Sequence, residues 1–275
     1  MARAIRNVLS YFALTLLAAF MVIPLVWMVL VSLHEPQSSI PTLDKLIPKV
    51  PHWENYTYIL TQENLPVLRF FFNSVFVTVT SVTVQLFFTS MAGFAFARLQ
   101  FRGREIAYIL FLGSMMFAGS VTQIPVYLLL RSLGWLDTFW ALIVPGVSSA
   151  FNVFLFRQFF RQIPLEIDEA CRVDGATDWQ IYSRMILPLS KAALATAGAF
   201  SFFASWTDFF GPLLYTNSID IRTLEVGLSI FKNSYGGNNW PLQMTAAVTV
   251  LIPCVLVFLV SQRYFSRGVV LGSEK

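Results

Sequence analysis

Residues 166–188 read EIDEACRVDGATDWQIYSRMILP, a charged segment between two long apolar ones. The stretch is polar, so it belongs outside a bilayer. It also carries its own start and stop signals, so it should be ordered. Pro164 stands where the first helical turn tolerates a residue without an N–H. Glu166, Asp168 and Glu169 follow, where acids favour the positive end of the helix dipole. Gly175 is a natural left-handed stop. Thr177 and Gln180 then match a capping box that starts a second helix. Pro188 permits a bend where that helix meets the next apolar run. The expectation is a helix, a glycine elbow and a second helix on a membrane surface.

The rest of the chain supports a membrane setting. Of 275 residues, 56% are hydrophobic and 12% charged, against about 25% charged in soluble domains. A membrane-spanning helix needs about 20 mostly apolar residues. Six such runs are legible, near residues 10–33, 69–97, 105–130, 138–160, 189–213 and 241–262, with a connecting loop at 161–188. The first is too long for a signal-peptide core and should stay as a span. The fold class expected is all-α, a polytopic membrane protein read as one transmembrane domain over 1–275.

Orientation follows from the basic residues. With the N-terminus inside, the inner segments carry thirteen of the 19 lysines and arginines, and the outer ones six. Both termini and the 161–188 loop then face the cytoplasm. Trp53, Trp135, Trp140, Trp179, Tyr215 and Trp240 fall near span ends or in flanking loops, as interfacial aromatics do. The outer segment 34–68 is proline-rich and reads as a compact cap or short helix. The outer segment 214–240 ends in a turn-rich polar tip, Asn233 to Pro241, read either as a solvated loop or as a probe of an outer partner.

Polar groups inside the spans need a protein or water environment. Ser74, Thr78, Ser81, Gln85 and Thr89 form one stripe at helical spacing, with Gly93 close to it. Ser201, Ser205 and Asp208 form another. Gln123 lies near Pro125 and a break suggested by Gly119-Ser120, and Asn152 adds a polar group to the fourth span. Two readings stay open for these residues: hydrogen-bonding glue between helices, or the lining of a transport cavity beside a broken helix. The substrate-pathway candidates are Gln123, Asn152, Ser205 and Asp208.

Chemistry is sparse. No phosphate-binding G-x-x-x-x-G-K-[ST] loop occurs, so an ATP-driven process would place the ATPase on another chain. No metal-ligand spacing or catalytic constellation appears, which argues against an intramembrane enzyme. Cys171 and Cys254 read as small apolar fillers. His34 and His52 read as isolated interfacial or loop residues.

Glu169-Ala170, Asp174-Gly175-Ala176 and Leu187-Pro188 resemble the cytoplasmic "EAA" loop of ABC-importer permease subunits. Cys171 and Met185 replace the usual Ala and Ile. Trp206-Thr207-Asp208-Phe209-Phe210-Gly211-Pro212, Thr223 to Leu228 and Gln262 to Gly268 are similar to further segments of the carbohydrate-uptake, maltose-type permeases. The tail, Gly268 to Lys275, is only partly similar.

The resemblance implies a permease subunit in a bacterial inner membrane, importing a sugar by alternating access. It implies a second, different permease subunit, two ATPase subunits that bind ATP and Mg, and an external solute-binding protein. Nucleic acid has no place in it. By the resemblance, Glu166, Glu169, Ala170, Arg172, Asp174, Gly175, Ala176 and Thr177 form a coupling surface for the ATPase. Tyr235, Gly236, Gly237, Asn238, Asn239 and Trp240 approach the binding protein. The alternatives are an ABC permease for another small solute and a self-contained secondary transporter. The latter would favour inverted repeats and several coupling carboxylates, and the sequence offers neither.

Overall fold

The structure, a computed structural model, describes residues 2–37, 39–42, 45–61, 66–234 and 239–270. Every element among them is helical. Three helices are long and apolar enough to cross a bilayer alone: α1 (Ala2–Ser32), α3 (Val67–Arg98) and α14 (Trp240–Val270). Three more crossings are possible only if pairs of shorter helices each count as one bent span. The runs expected at 105–130 and 138–160 are each divided into shorter helices.

Each break has a local cause. α4 (Arg104–Gly113) runs through a 3-10 turn (Ser114–Met116), then meets α5 (Gly119–Ser132) at 101°. Phe117 and Ala118 are extended there, just ahead of the expected Gly119-Ser120 break. α6 (Phe139–Ile143) and its 3-10 extension (Val144–Val147) meet α7 (Ala150–Gln162) at 41°. Ser148 and Ser149 are extended, and the Ser149 hydroxyl accepts from the Asn152 N–H to start α7.

α8 (Leu165–Val173) is followed by a second helix that begins as α9 (Asp178–Gln180), widens into a π turn (Ile181–Ile186) and ends as α10 (Leu187–Leu189). It meets α11 (Lys191–Trp206) at 80° at Ser190, two residues after Pro188. The chain then passes through α12 (Phe210–Tyr215) and a 3-10 turn (Ile219–Ile221) to α13 (Leu224–Ser234).

The chain divides into two compact units. One combines Met1–Arg69 with Gly227–Pro253. Within it, α1 is exposed along nearly its whole apolar length and becomes buried at Val31 and Ser32. The 34–68 segment does carry a short helix, α2 (Glu54–Thr61). It is tied down by buried Asn55, whose Nδ2 donates to the Ser32 and His34 carbonyls, both at 2.8 Å. Thr245 also donates to the Ser32 carbonyl at 3.2 Å. His34 is structural, its ring nitrogens 2.9 and 2.8 Å from the Leu30 and Lys45 carbonyls.

The second unit combines Phe70–Val226 with Cys254–Lys275. Its main core gathers Phe94 of α3, Phe156 and Phe160 of α7, Ile181, Tyr182 and Ile186 of the π turn, and Ala193 and Ala197 of α11. The small residues let the backbones approach, as they do in membrane helix packing. Gly93 is the tightest case: a Cβ there would lie 2.5 Å from the Phe156 Cβ. Gly93 therefore sets the separation of α3 and α7. Cys171 and Cys254 are both free and half-buried.

We expect Gly93→Leu to force α3 and α7 apart at a cost of about 1–3 kcal/mol, the usual penalty of overpacking. SDS-titration unfolding of detergent-solubilised protein reads it. An unchanged midpoint would show that Gly93 does not set the spacing.

Candidate functional site

The elbow forms as its residues dictate. α8 ends in a Schellman motif: the Ala176 N–H donates to the Cys171 carbonyl at 2.9 Å, and the Gly175 N–H to the Arg172 carbonyl at 3.0 Å. That closure needs Gly175 in the left-handed region, and its φ is +80°. Two residues on, the Thr177 hydroxyl accepts from the Gln180 N–H at 3.3 Å, and the Gln180 side chain accepts from the Thr177 N–H at 2.8 Å. This is the capping box read from the sequence. Arg172 reaches over the turn to Asp178 at 2.7 Å, with both side chains about half exposed. A pair that exposed adds little stability.

The two faces of α8 differ. Glu166, Glu169, Ala170, Arg172, Asp174, Gly175 and Thr177 are exposed, and Ala176 is half-buried. Leu165, Val173 and Trp179 add exposed apolar surface, with Val173 at 87%. Asp168 faces the other way and is buried. Seven of the eight coupling candidates are thus exposed along α8, the elbow and the cap of α9, while Ala176 packs inward against the core.

Sequence reading missed what holds this strip in place. Arg98, the last residue of α3, is buried and spans three helix ends. Its Nη2 donates to the Phe160 and Ile163 carbonyls, both at 2.6 Å, where α7 ends. Its Nε lies 3.6 Å from Asp168 Oδ2 on α8. The other Asp168 oxygen is buried without a protein partner. Burial pushes the Asp168 carboxyl above the usual aspartate range, against the pull of the Arg98 guanidinium. Arg157 of α7 makes the reciprocal tie. Its Nε donates to the Phe96 carbonyl at 3.2 Å, its Nη2 reaches both Glu105 oxygens at 2.9 Å, and its guanidinium lies 3.8 Å above the Tyr108 ring. The available signal was a pair of arginines at span ends near acids, but their partners lie at least 52 positions away.

Inside the same unit, a cavity of about 270 Å3 is lined by residues of α3, α5, α6, α11 and α12. Its polar lining includes Ser81, Gln85, Gln123, Ser201, Ser205 and Asp208. Three of the four pathway candidates, Gln123, Ser205 and Asp208, therefore meet in one place. Asn152 stands behind the wall instead of in it. It is buried and donates to Ser201 at 2.8 Å and to Gln85 Oε1 at 3.4 Å. Gln85 in turn donates to the Gly146 carbonyl at 2.6 Å. Asn152 orients the lining, which is the glue role left open by its sequence.

Asp208 does two things. Its Oδ1 accepts from the Gly211 N–H at 3.2 Å, capping the start of α12. Its side chain also lines the cavity. A Cβ on Gly211 would lie 2.6 Å from Asp208 Oδ2, so a larger residue there would push the carboxylate from this position.

The stripe on α3 is divided in its duties. Ser74 accepts from the Leu224 N–H at 2.8 Å and Thr78 accepts from Ser205 at 3.4 Å, while Ser81 and Gln85 line the cavity. Tyr235, Gly236, Gly237 and Asn238 lie outside the described residues. Asn239 caps α14 by accepting from the Leu242 N–H at 3.3 Å, and the Trp240 N–H donates to the Gln37 carbonyl at 3.2 Å.

Comparison with known proteins fits this architecture. Residues 1–271 match the family model for binding-protein-dependent transport system inner membrane components, and the chain belongs to that family. It is 33% identical over 222 residues to an arabinooligosaccharides transport system permease protein of Halalkalibacterium halodurans, covering 81% of this chain and 79% of that one. It is 30% identical over 275 residues to a trehalose/maltose transport system permease protein of Thermococcus litoralis, covering 98% of each. Among solved structures, a chain of a bacterial ABC transporter involved in the import of the acidic polysaccharide alginate is similar, with TM-score 0.81, 25% identity, and coverage of 96% of this chain and 98% of that one.

The two partners in the buried pair should respond unequally to substitution. Arg98→Met strands a buried carboxyl and two carbonyls and should cost about 3–5 kcal/mol. Asp168→Asn keeps a side-chain oxygen facing Arg98 and should cost less, about 1 kcal/mol. The folded state holds the Asp168 proton more tightly than the unfolded chain does. Stability should therefore fall as pH rises from the ordinary value of 3.8 through the raised one. Asp168→Asn should remove that slope. SDS-titration unfolding at several pH values reads all three effects, and equal costs for the two variants would contradict the assignment.

Proposed function

We propose that this chain is one of two different permease subunits of an ATP-powered importer of a sugar or oligosaccharide. The observation that supports this most is the pairing of two features in one compact unit: an exposed, rigidly capped elbow, and a polar cavity lined in part by α3 and α11, which pack against the π turn behind that elbow. The sugar permeases similar to this chain favour a carbohydrate cargo.

In this reading the chain crosses a bacterial inner membrane six times, with each bent pair serving as one span. Both termini face the cytoplasm, as the excess of inner basic residues favours. The 1–275 region then works as one transmembrane domain. ATP and Mg are held by separate ATPase subunits, two per importer. An external solute-binding protein delivers the sugar, and Asn239 and Trp240, with the tip before them, are its contact candidates.

The outward strip of α8 enters a cleft of the ATPase. Glu169 supplies a charge-assisted acceptor, Val173 and Leu165 supply apolar contact, and Gly175 fixes the angle between the two helices of the elbow. Closure of the ATPases displaces α8. The Arg98–Asp168 tie then carries the displacement to the end of α3, whose middle lines the cavity through Ser81 and Gln85. The apolar cluster under the π turn carries it to α11, which lines the same cavity through Ser201 and Ser205. Alternating access follows when these walls swing between the two sides of the membrane. The broken helices are the joints, since extended backbone at Phe117–Ala118 and Ser148–Ser149 lets half-helices move separately.

Glu169→Lys reverses a charge on the docking strip, and Gly175→Val places a β-branched residue at positive φ. Both variants should insert normally in the membrane yet weaken ATPase co-purification by about tenfold. Undiminished co-purification and uptake with both would reject the docking role.

A further inference from the structure

We propose that the wall this chain contributes to the cavity binds an uncharged, hydroxyl-rich sugar and discriminates against carboxylated ones, with Ser81 and Asp208 meeting the ligand's hydroxyls. The inference rests on the reading of this cavity as part of the import pathway, and it adds which chemical class of sugar passes.

The first support is a hydrogen-bond inventory. Most polar groups around the cavity are already engaged. Gln85 is held at both ends, by the Gly146 carbonyl and by Asn152. Ser201 accepts from Asn152, and Ser205 donates to Thr78. One oxygen of Asp208 accepts from the Gly211 N–H. Ser81 differs. It lines the cavity, it is only 6% exposed, and its hydroxyl has no hydrogen-bond partner among the described residues. A buried hydroxyl without a partner is uncommon and calls for an occupant. Ser81 can donate one hydrogen bond and accept others, which suits a sugar hydroxyl in either role.

The second support is charge. Asp208 is a carboxylate, and among the described residues no lysine, arginine or histidine lines the cavity beside it. A neutral sugar hydroxyl donates to a carboxylate in a charge-assisted bond. A uronate carboxylate entering the same space would lose its hydration next to a like charge with no cation to offset it. An acidic cargo such as alginate would need a basic group here, and this wall has none. Leu142, Pro145 and Tyr215 complete the lining with apolar surface, against which the C–H faces of a pyranose or furanose ring can rest.

The third support is that a charge stands where the cap does not need one. Gly211 leaves the gap that the Asp208 carboxylate occupies. Capping alone does not require a charge, because asparagine caps a helix about as well as aspartate does.

The test uses the complete importer, with its partner permease and ATPases, in lipid nanodiscs without the binding protein. The probes are neutral trisaccharides of arabinose, glucose and xylose, and the trisaccharides of galacturonate and mannuronate. Saturation-transfer NMR reads binding. The wild type should bind at least one neutral probe about tenfold more tightly than either uronate. Asp208→Asn, which preserves the cap, should narrow that gap to about threefold or less. Ser81→Ala should weaken the neutral probe about fivefold without lowering the unfolding midpoint, since it removes a hydroxyl that makes no hydrogen bond among the described residues.

Equal binding of uronates by the wild type, or a gap unmoved by Asp208→Asn, overturns the proposal. So does a Ser81→Ala variant that loses stability and keeps affinity. Reconstituted uptake separates the two levels of the reading. An importer that binds and moves neutral and acidic sugars alike defeats this proposal only. One that binds and moves no sugar defeats the transport reading with it.

Discussion

A single guanidinium governs the arrangement of the second unit. Arg98 ends α3, caps the last carbonyls of α7 and stands beside the inward carboxylate of α8. The carbonyls at the end of a helix have no intrahelical donors, so something must satisfy them where water is excluded. Arginine does this with fixed planar geometry and a charge that suits the negative end of the dipole. The cost of burying that charge is offset only while all three acceptors stay in place. The three helix ends are thereby bound into one body, and a displacement of any of them is felt by the others.

The cavity obeys the same rule of satisfied polar groups, but with a deliberate gap. Asn152 is buried behind the wall and fixes Ser201 and Gln85, so the lining is oriented before any ligand arrives. Preorganisation of this kind lowers the ordering cost of binding. It also explains why the polar residues of α3 divide by depth. Ser74 and Thr78 serve the protein's own hydrogen bonds, and one to two turns further along the helix Ser81 and Gln85 serve the cavity.

What could be read from the sequence was whatever depends on neighbours in the chain. The elbow was legible in full because Gly175, Thr177 and Gln180 interact within a few residues, and the 3.6-residue period and caps decide the outcome locally. The bend after Pro188 was legible for the same reason. The ties made by Arg98 and Arg157 were not, because their partners are brought close by tertiary packing alone. Asn152 shows the limit at the level of one side chain. Its polarity announced a protein-facing position, yet periodicity cannot separate lining a cavity from bracing its wall. Of the two divided runs, 105–130 carried a break signal in Gly119-Ser120, whereas 138–160 was read as one uninterrupted run. Hydropathy records apolarity along a run and is blind to two or three extended residues that turn it.

The broken helices and the buried tie impose opposite requirements on the same unit, and their placement reconciles them. Extended residues at 117–118 and 148–149 sit in stretches whose side chains are largely exposed, where backbone rotation disturbs little packing. The Arg98 tie and the Phe94–Phe156–Tyr182 cluster lie toward the elbow, where the proposed coupling would need rigidity to convey a push. Gly93, within two turns of Arg98, brings α3 and α7 into backbone-distance contact between the two regions. A lever needs a stiff arm and a compliant joint. In this fold the stiff arm is built from desolvated charges and aromatic packing. The joints are built from serines, an alanine and a phenylalanine in extended conformation, with glycines and one proline one to four residues away.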